Sequence, residues 1–187
     1  MSEPAPALPP WERLDACAQE LQGLPADIRG TVHPAAVVEG VLQLGEGSRI
    51  LPGCVLEGHI RIGKNCKIGP NAYLRGNVSI GDNCVIGNAV EVKSSIIGNG
   101  TSVAHLSYIG DSVLGDDVNV GGGCIFSNFR HDAGEIRMPW DGTLQPTGRN
   151  KLGCCIGNHV RIGCKCVILP GRVLPDGTWT APGSVVQ

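Results

Sequence analysis

The stretch LGEGSRILPGCVLEGHIRIGKNCKIGPNAYLRGNVSIGDNCVIGNAVEV, residues 44–92, decides the fold. Within it Leu44, Ile50, Leu56, Ile62, Ile68, Leu74, Ile80, Ile86 and Val92 recur every six residues. Toward the N-terminus the same count reaches Val38 and Val32. Toward the C-terminus it stumbles twice, losing one residue between Val92 and Ile97 and one between Ile109 and Leu114. Val103, Val120 and Phe126 keep the beat around those stumbles, and it resumes at Ile156, Ile162, Ile168 and Leu174. Glycine follows the aliphatic residue repeatedly, as at Gly45, Gly63, Gly81, Gly98, Gly115 and Gly157. Neither the 3.6-residue period of a helix nor the alternation of one long strand accounts for this. A short strand and a turn, repeated, does.

Three such six-residue sides make one triangular coil of about 18 residues, the unit of a parallel β-helix. The aliphatic residue points inward and stacks on its counterpart one coil away. Glycine opens the corner beside it, where a Cβ would crowd the backbone. Two positions before each aliphatic residue the side chain is compact: Cys54, Cys66, Ala72, Cys84, Ser95, Thr101, Ser107, Ser112, Cys124, Cys154 and Cys166. Six of the nine cysteines therefore fill one inward position, as small buried hydrophobes in a narrow prism. The expected fold is an all-β helix of roughly seven coils with three long parallel sheets.

Composition agrees. Of 187 residues 28 are glycine and 13 proline, a load that without a period suggests disorder, yet 42% are apolar. The aromatic share of 4% suits a prism too narrow for rings. A net charge of −2 with no basic run gives no reason to expect nucleic acid. No signal peptide and no membrane-length apolar run is present, so no membrane partner is expected. An odd number of cysteines without an export signal predicts free thiols and a cytoplasmic location. Cys154, Cys164 and Cys166 form no four-ligand zinc pattern, and no metal is expected.

Outside the repeat, residues 1–10 read as a disordered tail. Residues 11–25 hold an amphipathic helix, with Trp11, Leu14, Ala18 and Leu21 on one face, expected to cap the first coil. The repeat domain spans 28–187. Within it residues 128–150 break the count, and Asp141–Gly142 predicts a hairpin turn between EIRMPW and TLQPT. A smooth β-helix offers no large concave pocket, so a site is expected between subunits, with this insertion as one wall.

The chemistry-bearing residues gather near the two stumbles: Glu91, Lys93, His105, Tyr108, Asn119 and Asn128. A repeat that loses a residue re-aims side chains as a bulge does. His105 lies outside the inward set and suits proton abstraction near neutrality; its alternative is a surface histidine. Arg75 and Lys93 stand where the repeat usually has glycine and suit an anion, or are ordinary solvated charges. Asn119 and Asn128 suit a sugar, or belong to turn ladders. Of the other histidines, His131 in the insertion is the one to follow. Neither a phosphate-binding glycine loop nor a metalloprotease motif occurs.

At VEVKSSIIG, AHLSYIGDS and VNVGGG the sequence resembles the hexapeptide acyltransferase superfamily of left-handed parallel β-helices. More narrowly, it is similar to the acetyltransferase domain of bifunctional enzymes making UDP-N-acetylglucosamine, and to related sugar-nucleotidyltransferase-like proteins. The resemblance covers about residues 28–187. It implies an acetyl-CoA-dependent N-acyltransferase acting on an amino sugar phosphate such as glucosamine 1-phosphate, in a homotrimer with shared sites. His105 would be the general base and Glu91 a positioning group. Arg75 and Lys93 would hold the phosphate, and Tyr108, Asn119 and Asn128 the sugar. Gly121, Gly122, Gly123 and Cys164 would approach the thioester, with main-chain N–H groups facing the oxyanion.

The sequence departs from that family at three places. Phe129 stands where a tyrosine is usual, Cys164 replaces a small hydroxyl or amide, and the 128–150 hairpin replaces a shorter loop. The nucleotide loop of a pyrophosphorylase is absent from these residues, so that activity is not expected. The competing expectation is a structural or regulatory β-helix without turnover. A γ-class carbonic anhydrase would need three zinc-binding histidines, two of them five residues apart, and no such pair exists.

Overall fold

The computed structural model describes residues 8–187. Residues 1–7, most of the expected tail, lie outside the described residues, and Pro10 already opens the helix. The chain winds as a left-handed parallel β-helix, all-β but for that helix. One side is an eight-stranded parallel sheet running from Thr31–Val32 to Trp179–Thr180, so there are eight rungs where the count of six predicts roughly seven coils. The difference arises because Trp179–Thr180 still pairs with Arg161–Ile162, beyond Leu174, the last counted aliphatic residue.

We call this eight-stranded side side three. Sides one and two are not separate sheets as expected. They fuse into one of 13 strands because Val37–Leu44, Val55–Ile62 and Tyr73–Ile80 run unbroken around the corner between them.

The inward residues form one continuous core from Leu42 to Leu174. All eleven compact inward positions are buried. Their polar members do more than fill space. At each corner the strand breaks and backbone groups leave the ladder, which requires other partners. Ser95 Oγ donates to Lys93 O at 2.8 Å and accepts the Ser112 N–H at 3.0 Å; Ser112 Oγ repeats this with Gly110 O and the Cys154 N–H. Cys66, Cys84, Cys124 and Cys166 donate their thiols to corner carbonyls at 3.1–3.2 Å. All nine cysteines are free.

The corner between sides two and three is tied by a second ladder. Asp82 Oδ1 accepts the Lys64 N–H, Asn99 Oδ1 that of Asp82, Asp116 Oδ1 that of Asn99, and Asn158 Oδ1 that of Asp116, all at 2.7–2.8 Å. The glycine before each of these residues is required by proximity. A Cβ on Gly98 would sit 2.5 Å from the Gly115 carbonyl group.

The helix spans Pro10–Gln22, entered through Pro9 and closed at Gly23. Its buried face is Leu14, Cys17 and Leu21, with Cys17 in the place expected of Ala18. It does not cap the first coil, where Ile28, Val37 and Val38 stay exposed. It lies along side two instead. There Leu14 packs with Val113, Leu152 and the hairpin residues Ile136 and Met138. The reason is hydrophobic area: the insertion brings a second small core to that flank, and the helix completes it. The hairpin pairs Ile136–Trp140 with Thr143–Arg149 across Asp141–Gly142, as the sequence predicts. Both turn residues take positive φ (48° and 74°), the geometry of a tight hairpin turn.

Candidate functional site

The corner from side one to side two changes character along the stack. In three successive coils it passes through Gly40, Gly58 and Gly76; in the next two it passes through Ser94 and Asp111. The two stumbles of the sequence are here. They delete the residue that Val41, His59 and Asn77 supply in the long strands.

On side one, just before this corner, the outward residues stack in two columns. One holds Glu57, Arg75, Lys93 and Gly110; the other holds Tyr73, Glu91 and Tyr108. Arg75 donates through Nε (2.8 Å) and Nη2 (2.7 Å) to Glu91 Oε1, and its guanidinium lies 5.7 Å from the centre of the Tyr73 ring. The Tyr73 hydroxyl donates to Glu57 at 2.6 Å. Lys93 Nζ bonds both carboxylate oxygens of Asp111 at 2.7 Å, with side chains only 21% and 13% exposed. Asp111 Oδ2 also accepts the Asn128 amide. Burial pushes the Tyr108 phenol up, helped by the charges of Asp111 and Glu91, while its hydrogen bond with Asn128 works the other way. A Cβ on Gly110 would come within 2.8 Å of Asn128 Nδ2, so glycine is what lets the amide reach Asp111.

Thus Arg75, Glu91, Lys93, Tyr108 and Asn128 come together in one chain. Sequence reasoning missed Asp111, which joins Lys93 to Asn128. The signal was available, since Asp111 sits inside the second stumble.

His105 and the glycines occupy the opposite edge of side one. His105 ends the strand Ser102–His105 at the corner from side three, and its side chain is exposed. Its carbonyl accepts the Ser107 hydroxyl (2.8 Å) and the Gly123 N–H (3.1 Å). Gly121 N–H donates to Ile162 O at 2.8 Å. Gly122 N–H alone of the three glycines has no partner among the described residues. Gly122 carries no side chain between His105, one coil before it, and the exposed Cys164, one coil after it. Asn119 is not with the cluster: it lies on side three, between Ser102 and Arg161. In one chain, therefore, His105 and the Arg75–Asn128 cluster flank the three-residue strand Tyr108–Gly110, and Asn119 faces away.

The one large hollow lined by the insertion lies at its base, off the smooth surface of the coil. A cavity of about 360 Å³ lies there, next to Asn128, between Phe129–Asp132 and Leu169–Arg172. Among the described residues no three His, Cys, Asp or Glu side chains gather as metal ligands, and no helix is long and apolar enough to cross a membrane.

Residues 56–180 match the family described as the GMPPB C-terminal domain. The chain belongs to that family. A bifunctional sugar-1-phosphate nucleotidylyltransferase/acetyltransferase of Sulfurisphaera tokodaii is 44% identical over 53% of this chain and 25% of its own length. The bifunctional protein GlmU of Methanococcus aeolicus is 36% identical over 95% of this chain and 43% of its own. The GlmU of Methanocaldococcus jannaschii is 34% identical over the same shares. The chain spans less than half the length of these relatives. The expected resemblance to hexapeptide-repeat β-helix acyltransferases of the GlmU type holds.

Proposed function

We propose that the chain is an acetyl-CoA-dependent N-acyltransferase whose acceptor is an amino sugar phosphate such as glucosamine 1-phosphate. The observation that carries this reading is the pairing, across one narrow side, of an exposed imidazole with a shelf of two cations, a phenol and an amide. Arg75 and Lys93 offer charge and a planar fork to a phosphate. Tyr108 and Asn128 offer hydroxyl and amide contacts to a sugar. Glu91 and Asp111 hold the two cations in place, so that the shelf is preorganised. His105 takes the proton from the acceptor amine as it attacks, since only a neutral amine is a nucleophile.

Acetyl-CoA supplies the acyl group and a thiolate leaving group. The bare backbone at Gly122, one coil before Cys164, fits the approach of a thioester, and the unpaired Gly122 N–H is the donor available to the developing oxyanion. Gly121 and Gly123 serve the ladder instead. Asn119 belongs to this site only if a second copy brings side three against side one, and a cytoplasmic homotrimer with shared sites is part of the proposal. Light scattering reads that mass directly.

The test is thiol release from acetyl-CoA with glucosamine 1-phosphate and a panel of amines. His105→Ala should lower the rate by about 10²–10⁴-fold. A full rate in that variant overturns the base assignment. No turnover with any amine, and no shift of Tm by CoA, overturns the class. It favours the second reading, a structural or regulatory β-helix, for which the internal neutralisation of Arg75 by Glu91 and of Lys93 by Asp111 already speaks.

A further inference from the structure

One inward column of the prism holds Leu42, Ile60, Val78, Ser95, Ser112 and Cys154, all buried. One coil further on the same position is Arg172: Cys155 and Ile156 pair with Val173 and Leu174, and the Cys155 N–H donates to Arg172 O. No other charged residue occupies this column. Arg172 Nε is buried and has no hydrogen-bond partner among the described residues, an unfavourable state for a charged donor.

Arg172 also lines the cavity of about 360 Å³ at the base of the insertion, with Phe129, Arg130, His131, Asp132 and Pro170. The one carboxylate in that lining, Asp132, is turned to Arg130, which bonds it at 2.9 and 2.6 Å. Arg172 forms no ion pair with it. Phe129 presents a ring that is 43% exposed, with Lys151 Nζ 6.0 Å from its centre. The cavity thus combines a half-buried arginine whose buried Nε has no partner, a histidine, an arginine held by Asp132 and an aromatic face.

We propose that this cavity binds a phosphate-bearing ligand, with Arg172 as the anchoring donor and Phe129 as the platform for whatever the phosphate is attached to. A guanidinium fork matches phosphate oxygens, and the ligand supplies the acceptor that the fold does not. The site is distinct from the Arg75–Lys93 shelf and does not depend on acyl transfer.

The test is calorimetric titration of the full chain with inorganic pyrophosphate, in an Arg75→Ala, Lys93→Met background that removes both cations of the other candidate anion site. Arg172→Leu restores the aliphatic residue that the column carries elsewhere, so Tm should hold or rise; Arg172→Met is the second variant. Both should weaken pyrophosphate binding at least tenfold. Absence of binding before Arg172 is changed, or binding unchanged after, overturns the site. Adenosine diphosphate and adenosine distinguish the source of the phosphate. A diphosphate that binds more tightly than pyrophosphate, with the advantage lost in Phe129→Ala, supports a nucleotide. Equal affinities support a free phosphate compound. Adenosine binding as tightly as its diphosphate overturns the anchoring role of Arg172. Because binding is read without turnover, this result and that of the acyl-transfer assay are independent.

Discussion

At the corner between sides one and two, Gly40, Gly58 and Gly76 let eight-residue strands run through, whereas in the next two coils Ser94 and Asp111 cut the strand in two. The first version is held by backbone ladders and an aliphatic inner column. The second lacks one residue, takes serine into that column to satisfy the freed backbone, and turns Asp111 to meet Lys93 and Asn128. Losing a single residue changes a structural corner into a polar cluster without disturbing the core behind it. The difference lies in what each corner asks of its side chains, and substitutions at the two corners test it.

The largest effect is expected at Asp111→Ala. It strands a poorly exposed ammonium and an amide together, and should cost about 3 kcal/mol in urea unfolding, the lower end for a broken buried pair. A cost near zero would mean that Asp111 does not hold the cluster. Next comes Gly58→Ala at the unbroken corner. Its φ of 106° disfavours a side chain, and a Cβ would run into the Gly76 carbonyl oxygen. A loss of about 2 kcal/mol is expected.

Ser94→Gly, the matching position one coil past the unbroken stretch, should stay within about 0.5 kcal/mol, since its φ of 43° already suits glycine. If Gly58→Ala and Ser94→Gly cost the same, the two corners are not different in kind.

The smallest effect belongs to Asp117, at the corner between sides two and three. His159 and Arg161 hold its carboxyl below the usual value of 3.8. A depressed folded-state value means that its contribution is complete above that usual value and is lost as pH falls through the lower one. Asp117→Asn should flatten the stability profile only at acid pH below about 4. A flattening near neutrality would contradict the assignment.

Much of this was legible because the count of six records which residues point inward, and the prism admits few side chains. Asp141–Gly142 likewise fixed the hairpin turn by local geometry. Five of the candidate residues met at one corner because the stumbles mark where the backbone departs from its ladder. The helix was legible as a helix but not in its place, because its partners are the hairpin residues Ile136 and Met138, far along the chain. Asn119 fell on another face, and His105 on the far edge of side one, because spacing in sequence does not say which side of a triangle a residue occupies. Arg172 was hidden in plain register: aligning one inward column by coil isolates it, whereas scanning for motifs does not.

The contact between helix and hairpin has one more consequence. Arg149, the last residue of the hairpin, donates to Trp11 O at 2.9 Å and pairs with Asp15, while Phe129 and Lys151 bridge the hairpin's base. The N-terminal helix is thereby clasped to the end of the hairpin. The hairpin cannot swing outward without releasing the helix, so the insertion whose first residues, Phe129–Asp132, line the cavity is tied down at its far end. An N-terminal segment that lines no part of that cavity thus tethers the insertion that does.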